Sequence, residues 1–342
     1  MSTSNSNDSV KAKIKKKMKG LCGANDLELT LKREMAFLRQ EIASSRAALP
    51  GSGPVLLESG LEIMPGSEYA RYALPLDYLP SRDYQPRWGH NRPVIKDIAD
   101  FFEAHAQAYQ DFLNYMQSMN VRHIALSLNE KIQPPTPAWL GGAMSPFDEL
   151  ALYAMVSKYK PSKFFEVGSG ISTCFARQAI SDSNLVTRLV SIDPEPRAEI
   201  DAICDEVYRY GLETIDITYF DQLEPGDFLY IDGSHRSFTN SDVTVFFIDI
   251  LPRIKPGVII HIHDVVLPWD YPDMFLKWYW SEQYLLAVYI MAAKERLTPL
   301  LPTAFVCRSP LFENYFSAPF IQVGVNDPAE WRGGGSFWFT KK

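Results

Sequence analysis

The sequence predicts an α/β fold in which a mostly parallel sheet is doubly wound, with helices packed on both of its faces. From Pro161 onward, short apolar runs alternate with helical segments, which is the pattern of such a sheet. A glycine turn separates the first apolar run from a helix, and three later apolar runs end in acidic or imidazole side chains. Ligands bind such sheets at the carboxyl ends of the strands, so the same pattern predicts where the site lies.

The glycine turn follows a predicted strand and reads Glu166-Val167-Gly168-Ser169-Gly170-Ile171-Ser172-Thr173. Gly168 and Gly170 let the backbone turn tightly and approach a ligand closely. Ser172 or Thr173 can cap the helix that follows, whose first N–H groups suit a polar or anionic ligand. A dinucleotide-binding turn would instead have a small residue at position 173. Glu166 would crowd a pyrophosphate, so the turn favours a ligand with a cationic or hydroxyl-bearing end.

Acidic residues end the three apolar runs that follow. Val186–Ser191 is predicted as a strand, and Asp193 after it is well placed to accept hydrogen bonds from both hydroxyls of a ribose. The alternative for Asp193 is a plain turn. The next two runs end in the motifs Ile231-Asp232-Gly233-Ser234-His235 and His261-Ile262-His263-Asp264. Because all of these positions follow strands, we expect them to lie in one site.

Taken in this order, the motifs E-x-G-x-G-x-S-T, I-D-P, I-D-G-S-H and H-D resemble those of class I S-adenosylmethionine-dependent methyltransferases. More narrowly, they resemble the branch that includes metal-dependent O-methyltransferases of macrolide sugars. The resemblance spans residues 145–340. It implies a Rossmann-like, doubly wound, mostly parallel seven-stranded sheet that ends in an antiparallel hairpin, with closing strands at 302–307 and 336–340. It also implies methyl transfer to a hydroxyl of a sugar, glycan or small-molecule acceptor.

The resemblance assigns S-adenosylmethionine to the glycine turn and the strand ends after it. The turn would hold the methionine end of the cofactor, and Asp193 would bind the ribose. Glu166 would either orient the turn or contact the cofactor directly, and Asp221 would contact the adenine amine. The implied cofactor-binding residues are Glu166, Gly168, Ser169, Gly170, Ser172, Thr173, Asp193 and Asp221.

The resemblance also implies a divalent metal site formed by Asp232, His263 and Asp264. Two carboxylates suit Mg²⁺, but the related enzymes have Glu at the position of His263, and imidazole favours Mn²⁺, Fe²⁺ or Zn²⁺. The alternative is that no metal binds and that His263 and Asp264 only fix loops. His235 occupies the position of the catalytic base and is predicted at the start of a helix, where a solvent-bonded histidine is the alternative.

The N-terminal part divides into a basic tail (1–24), a helix (25–50) and a helical or loop extension that could cover the acceptor (51–144), before the catalytic domain (145–342). Six lysines between Lys11 and Lys19 indicate a solvated tail or, alternatively, an anchor for acidic membrane or nucleic acid. Asn25 and Glu28 match a capping box. Apolar residues at coiled-coil spacing then suggest a docked helix or a homo-oligomer. Pro93–Met119 is predicted as an amphipathic helix, and Phe275–Ala293 as a long aromatic one.

Composition excludes several classes of protein. The net charge of −7 argues against a general nucleic-acid binder. Four cysteines without paired spacing fit a reducing, cytoplasmic location, and no apolar stretch has the length of a membrane span. A catalytically silent module that uses the N-terminal helix to bind a partner is a second hypothesis. A nicotinamide-dependent oxidoreductase is a third, disfavoured by Glu166 and Thr173.

Overall fold

The computed structural model describes residues 55–56, 62–63, 85–126, 134–140, 144–312 and 333–342. The chain divides into two compact units, Met1–Arg82 and Asp83–Lys342. In the first unit, strands β1 (Val55–Leu56) and β2 (Glu62–Ile63) form an antiparallel pair. The predicted basic tail and the helix at 25–50 lie outside the described residues, so both stay predictions.

The second unit is built on one seven-stranded sheet. A short parallel pair, β3 (Ala125–Leu126) and β4 (Ala138–Trp139), stands apart from it. The strands of the large sheet are β5 (Lys163–Val167), β6 (Arg188–Ile192), β7 (Glu206–Tyr208), β8 (Phe228–Ile231), β9 (Ile259–Ile262), β10 (Leu297–Pro302) and β11 (Phe337–Lys341). Their order is β10-β11-β9-β8-β5-β6-β7. β11 pairs antiparallel with β10 and with β9, and the other neighbouring strands pair in parallel, which confirms the predicted mostly parallel sheet with a closing hairpin.

Helices flank this sheet. The α-helices are α1 (Lys96–Glu103), α2 (Ala106–Gln117), α3 (Pro146–Tyr159), α4 (Ile171–Asp182), α5 (Asp242–Val245), α6 (Asp273–Lys277), α7 (Glu282–Ala293) and α8 (Thr303–Arg308). Ser145 begins α3, because its Oγ accepts a hydrogen bond from the peptide N–H of Asp148 and a proline follows it in the first turn. No helix in the described parts of the chain is long and apolar enough to cross a membrane.

Three predicted elements differ from the structure. The segment Pro93–Met119 contains two helices, because α1 ends at Glu103 and α2 starts at Ala106. The predicted helix Phe275–Ala293 is interrupted between α6 and α7, where Tyr279 has a left-handed backbone with φ 56°. Residues 303–308 form helix α8, and the strand β10 precedes them. A short apolar run fits a buried helix as well as a strand, so local pattern could not decide the last case.

The central strands consist mainly of apolar residues because both faces of the sheet are covered. Leu229 in β8 and Ile260 in β9 are fully buried, as are Phe337, Trp338 and Phe339 in β11. Strands buried on both faces appear in sequence as continuous apolar runs rather than as alternating ones. Polar side chains therefore occur mainly where these strands end, and those ends form one edge of the sheet.

The glycine turn touches the end of the neighbouring strand. The peptide N–H of Asp232, after β8, donates to the carbonyl of Val167 at 2.8 Å. Gly168 has φ 78°, and a Cβ there would lie 1.7 Å from the carbonyl oxygen of Asp232. Only glycine fits this position, both for its backbone angle and for the space available.

We expect Gly168→Ala to destabilise the protein far more than Gly226→Ala. Gly226 also has a positive φ, 90°, but nothing lies within 4 Å of the position of its Cβ. Gly226→Ala should therefore cost on the order of 1 kcal/mol for backbone strain alone. Gly168→Ala should cost at least about 3 kcal/mol, because the Asp232 backbone must also move. Urea unfolding measures both, and equal losses would contradict the proposed close contact.

Candidate active site

Glu166 organises the glycine turn from inside the protein. Its buried carboxylate accepts hydrogen bonds from Ser172 Oγ at 2.5 Å and from Thr173 Oγ1 at 2.6 Å. Thr173 Oγ1 in turn accepts the peptide N–H of Gly170 at 3.0 Å. Burial raises the pKa of Glu166 to about 8, although the hydrogen bonds from Ser172 and Thr173 act to lower it. Of the two roles that the sequence left open for Glu166, this geometry favours orienting the turn.

Asp193 links the end of β6 to the same turn. Its Oδ2 accepts the peptide N–H of Ser169, and its Oδ1 accepts that of Glu195, both at 2.8 Å. Each carboxylate oxygen has a further lone pair and can still accept a ligand hydroxyl. Arg209, which the sequence did not single out, donates to the carbonyl of Asp193 at 3.0 Å and to Ser191 Oγ at 3.1 Å.

The prediction that Asp221 contacts an adenine is wrong. Asp221 forms an ion pair with Arg253 in an exposed position. It lies in a 3₁₀ helix, Ile217–Gln222, that leads into the start of β8. The ligand edge is formed by the carboxyl ends of the strands, so a carboxylate beside the start of β8 belongs to the opposite edge.

Acidic and imidazole groups meet beside the glycine turn. Asp232, His235 and Asp264 each present one ligand atom within 4.8 Å of the others. His235 Nε2 lies 3.4 Å from Asp232 Oδ1 and 3.3 Å from Asp264 Oδ2. His263 Nδ1 is 3.4 Å from Asp232 Oδ1 and 3.6 Å from Asp264 Oδ1. The structure thus brings together all four residues predicted for metal binding and catalysis, with His235 rather than His263 in the three-residue group.

This donor set fits a divalent cation. Carboxylate oxygens and imidazole nitrogen together suit Mn²⁺, Fe²⁺ or Zn²⁺ better than Mg²⁺, which prefers oxygen alone. Asp232, His235 and Asp264 would hold such an ion, with the nearby His263 as a further donor.

Burial makes the charges in this cluster depend on one another. Burial alone would raise the pKa of Asp232, but His263 and His235 hold it well below its usual range. Burial alone would lower the pKa of His235, yet the carboxylates of Asp232, Glu282 and Asp264 raise it to about 10. The pKa of His263 is also raised, by Asp232 and Asp264. At neutral pH and without a cation, His235 is therefore protonated.

The sequence predicted His235 at the start of a helix, but the structure does not place it there. It lies in the loop after β8 with a left-handed backbone, φ 59°, and α5 begins only at Asp242. Its Nδ1 is 2.9 Å from Oε2 of Glu282, a carboxylate that the sequence did not assign to the site. One signal in the sequence could have identified Glu282. It follows Ser281 and the aromatic run Trp278-Tyr279-Trp280, and a charged residue beside an apolar stretch is often buried and paired.

A second polar network supports the cluster from behind. The carboxylate of Asp148, in the first turn of α3, accepts the peptide N–H groups of Gly335 and Ser336 at 2.8 and 3.1 Å. Its Oδ2 lies 3.9 Å from His263 Nε2. The peptide N–H of Val265 donates to the carbonyl of Gly335 at 2.7 Å. The segment Gly333–Ser336 therefore packs against the backbone that carries Asp264.

Comparison with known proteins identifies the domain that contains these groups. A family model described as a methyltransferase domain matches residues 165–265, from the glycine turn to the residue after Asp264. The chain carries a methyltransferase domain. Together with the fold, this match supports the class I S-adenosylmethionine-dependent methyltransferase predicted from the sequence.

Several solved methyltransferase structures are similar to this chain. An O-methyltransferase from Bacillus cereus in complex with SAH has 17% identity, with 58% of this chain and 82% of that chain covered and a TM-score of 0.35. The SAH-bound methyltransferase PaMTH1 of Podospora anserina has 14% identity, with 75% and 100% covered and a TM-score of 0.36. These scores are too low to indicate an acceptor for this chain. No curated protein sequence matches it.

We expect Asp193→Ala to weaken S-adenosylmethionine binding. The variant loses the carboxylate that would bind the ribose hydroxyls. Each lost charge-assisted hydrogen bond should reduce the binding free energy by on the order of 1.5–3 kcal/mol. It also releases the N–H of Ser169 in the turn. Isothermal titration of the methyltransferase with the cofactor measures the loss. Asp221→Ala is the control and should leave the affinity unchanged, and an unchanged affinity in Asp193→Ala would rule out its cofactor role.

Proposed function

We propose that this methyltransferase transfers the methyl group of S-adenosylmethionine to a hydroxyl of a sugar, glycan or small-molecule acceptor. The acceptor oxygen bonds to the sulfonium methyl carbon, the carbon–sulfur bond breaks, and S-adenosylhomocysteine leaves while the hydroxyl gives up its proton. The supporting observation is the contact between Gly168, in the turn, and the backbone of Asp232, in the acid–imidazole cluster. It puts the cluster next to the turn, where the two reactants must meet.

On this proposal, the cofactor lies along the edge formed by the strand ends. The turn from Gly168 to Thr173, which ends in the first residues of α4, receives the methionine end. Asp193, half-exposed after β6, binds the ribose hydroxyls. The buried Glu166 acts on the cofactor only through Ser172 and Thr173, whose hydroxyls it holds.

Asp232 and Asp264 are the proposed holders of a divalent cation, with either Nε2 of His235 or Nδ1 of His263 as the third donor. When bound, the cation would polarise the acceptor hydroxyl and make it easier to deprotonate. The histidines are buried and the two aspartates partly so, and without a cation these carboxylates are balanced only by protonated histidines. The acidic groups therefore have a physical reason to bind a cation.

His235 is the proposed base that takes the acceptor's proton. This role requires the imidazole to be neutral, whereas the surrounding carboxylates raise its pKa to about 10. Positive charge near Asp232 and Asp264 would oppose their effect and lower that pKa. Because Nε2 of His235 cannot hold the cation and accept a proton at once, His235 acts as the base while His263 completes the cation site.

The proposed activity is tested by binding and by transfer. We expect the protein to bind S-adenosylmethionine and not NAD in equilibrium titrations. With methyl-labelled cofactor and a mixed pool of glycans and metabolites, mass spectrometry should find label on a hydroxyl. Asp264→Ala should bind the cofactor normally but transfer no label. Preferential NAD binding would overturn the methyltransferase proposal, and cofactor binding without transfer to any acceptor would favour the silent module.

A second experiment separates the base from the cation. If His235 is the base, His235→Ala should lower turnover by roughly 10²–10⁴-fold with little change in cofactor affinity. If a cation alone activates the hydroxyl, Asp232→Ala and a chelator should abolish turnover, and His235→Ala should be mild. If both act together, as proposed, each change should be severe and their effects should not add. Near wild-type turnover of His235→Ala, with an unchanged pH–rate profile, would contradict the base.

A further inference from the structure

Four contacts that hold His235 in place come from Trp280, Ser281 and Glu282, at the start of α7. The peptide N–H groups of Ser281 and Glu282 both donate to the carbonyl of His235, at 2.8 and 3.2 Å. The ring of Trp280 packs against the imidazole with 4.3 Å between centroids. Glu282 Oε2 lies 2.9 Å from Nδ1. His235 itself has a strained left-handed backbone, so these contacts keep it in a conformation that it would not adopt alone.

A carboxylate at Glu282 is costly, which points to a specific use. Its side chain is 0% exposed, and Oε1 has no hydrogen-bond partner in the described residues. Burial raises its pKa, and the contact with His235 opposes that shift. A leucine or glutamine would fill the same volume without a buried charge. The charged group of Glu282 faces Nδ1 of His235.

We propose that Glu282 is a positioning residue that fixes the proton of His235 on Nδ1 and directs Nε2 at Asp232 and Asp264. This inference rests on the proposed function and deepens it, because it says which atom of the imidazole serves the site. A carboxylate that accepts from one nitrogen of a histidine sets its tautomer and ring orientation and makes the other nitrogen a better donor to a metal or proton.

The distances on the other side of the ring agree with this role. Nε2 is 3.3–3.4 Å from a carboxylate oxygen of both Asp232 and Asp264. A charge-assisted hydrogen bond would be about 2.7–2.9 Å long. Nε2 therefore faces both oxygens at similar distance without binding tightly to either. The Nδ1 contact, at 2.9 Å, is the short one, so Glu282 fixes the ring and the two aspartates do not.

Two substitutions separate the charge of Glu282 from its hydrogen bond. Glu282→Gln keeps an oxygen that can accept from Nδ1 but removes the charge. Glu282→Leu removes both. Asp227→Asn is the matched control, because Asp227 is also a buried carboxylate that accepts peptide N–H groups, from Lys163 and Glu224, but it precedes β8 at the opposite edge of the sheet.

The first readout is the Nδ1 proton of His235, observed by NMR in the full-length protein labelled with ¹⁵N-histidine, without metal and with Zn²⁺. We expect a slowly exchanging, hydrogen-bonded Nδ1 proton in the wild type, in Asp227→Asn and in Glu282→Gln, and its loss in Glu282→Leu. The second readout is Mn²⁺ affinity from electron paramagnetic resonance titration. It should fall by roughly 10–100-fold in Glu282→Leu and by less in Glu282→Gln.

Either readout can overturn the proposal. A wild type whose Nδ1 is unprotonated would refute it, as would Glu282→Leu with the wild-type proton signal and Mn²⁺ affinity. If Glu282→Leu does not fold, Glu282→Gln decides through its Mn²⁺ affinity, and no change from the wild type would refute a role for the charge. A wild type that binds no Mn²⁺ counts against the proposed cation site instead, and the metal-free proton signal still tests Glu282.

Discussion

The contact between Gly168 and the carbonyl of Asp232 is the constraint on which the rest of the site depends. Strands β5 and β8 are adjacent and parallel, so the turn after one reaches the end of the other. With no Cβ at Gly168, the two backbones come close enough for the turn and the acid–imidazole cluster to share one edge. A bulkier residue would separate the glycine turn from the acid–imidazole cluster, and so the proposed cofactor site from the proposed acceptor site. The pairing of β5 with β8 thus sets the position of the proposed active site, and the side chains then supply its chemistry.

Below that edge, the chemistry is governed by the cost of burying charge. Glu282 is buried and Asp232 partly buried against His235, so the carboxylates favour a positive partner. Protons on the histidines are one such partner, and a divalent cation is another. Because both neutralise the same oxygens, binding of a cation and loss of protons are coupled. The buried position of the cluster therefore links its protonation to its occupancy.

Much of this arrangement could be predicted from the sequence, because parallel strands leave strong local signals. The apolar runs predicted the sheet, and the acidic residues at their ends predicted that Asp232 and Asp264 lie close together. The prediction for Asp221 failed because the sequence shows only that Asp221 follows a strand. It does not show that the chain has by then returned to the opposite edge of the sheet, where β8 starts. Glu282 was missed because it is 47 residues from its partner His235, which lies in a loop, and belongs to the separate helix α7. Contacts made by loops with left-handed residues, as at His235, leave no periodic pattern.

The position of β11 has a consequence for how the protein is made. This strand is the last of the sheet along the chain, yet it lies inside the sheet, between β9 and β10. Just before it, Gly335 and Ser336 bind the carboxylate of Asp148 and the backbone next to Asp264. Synthesis proceeds from the N-terminus, so a nascent chain on the ribosome exposes the unpaired edge of β9 until β11 has emerged. This edge of the sheet is therefore completed only after β11 has been made, and a chain that stops before β11 would be left with an open sheet edge, an unsupported acid–imidazole cluster and a tendency to aggregate.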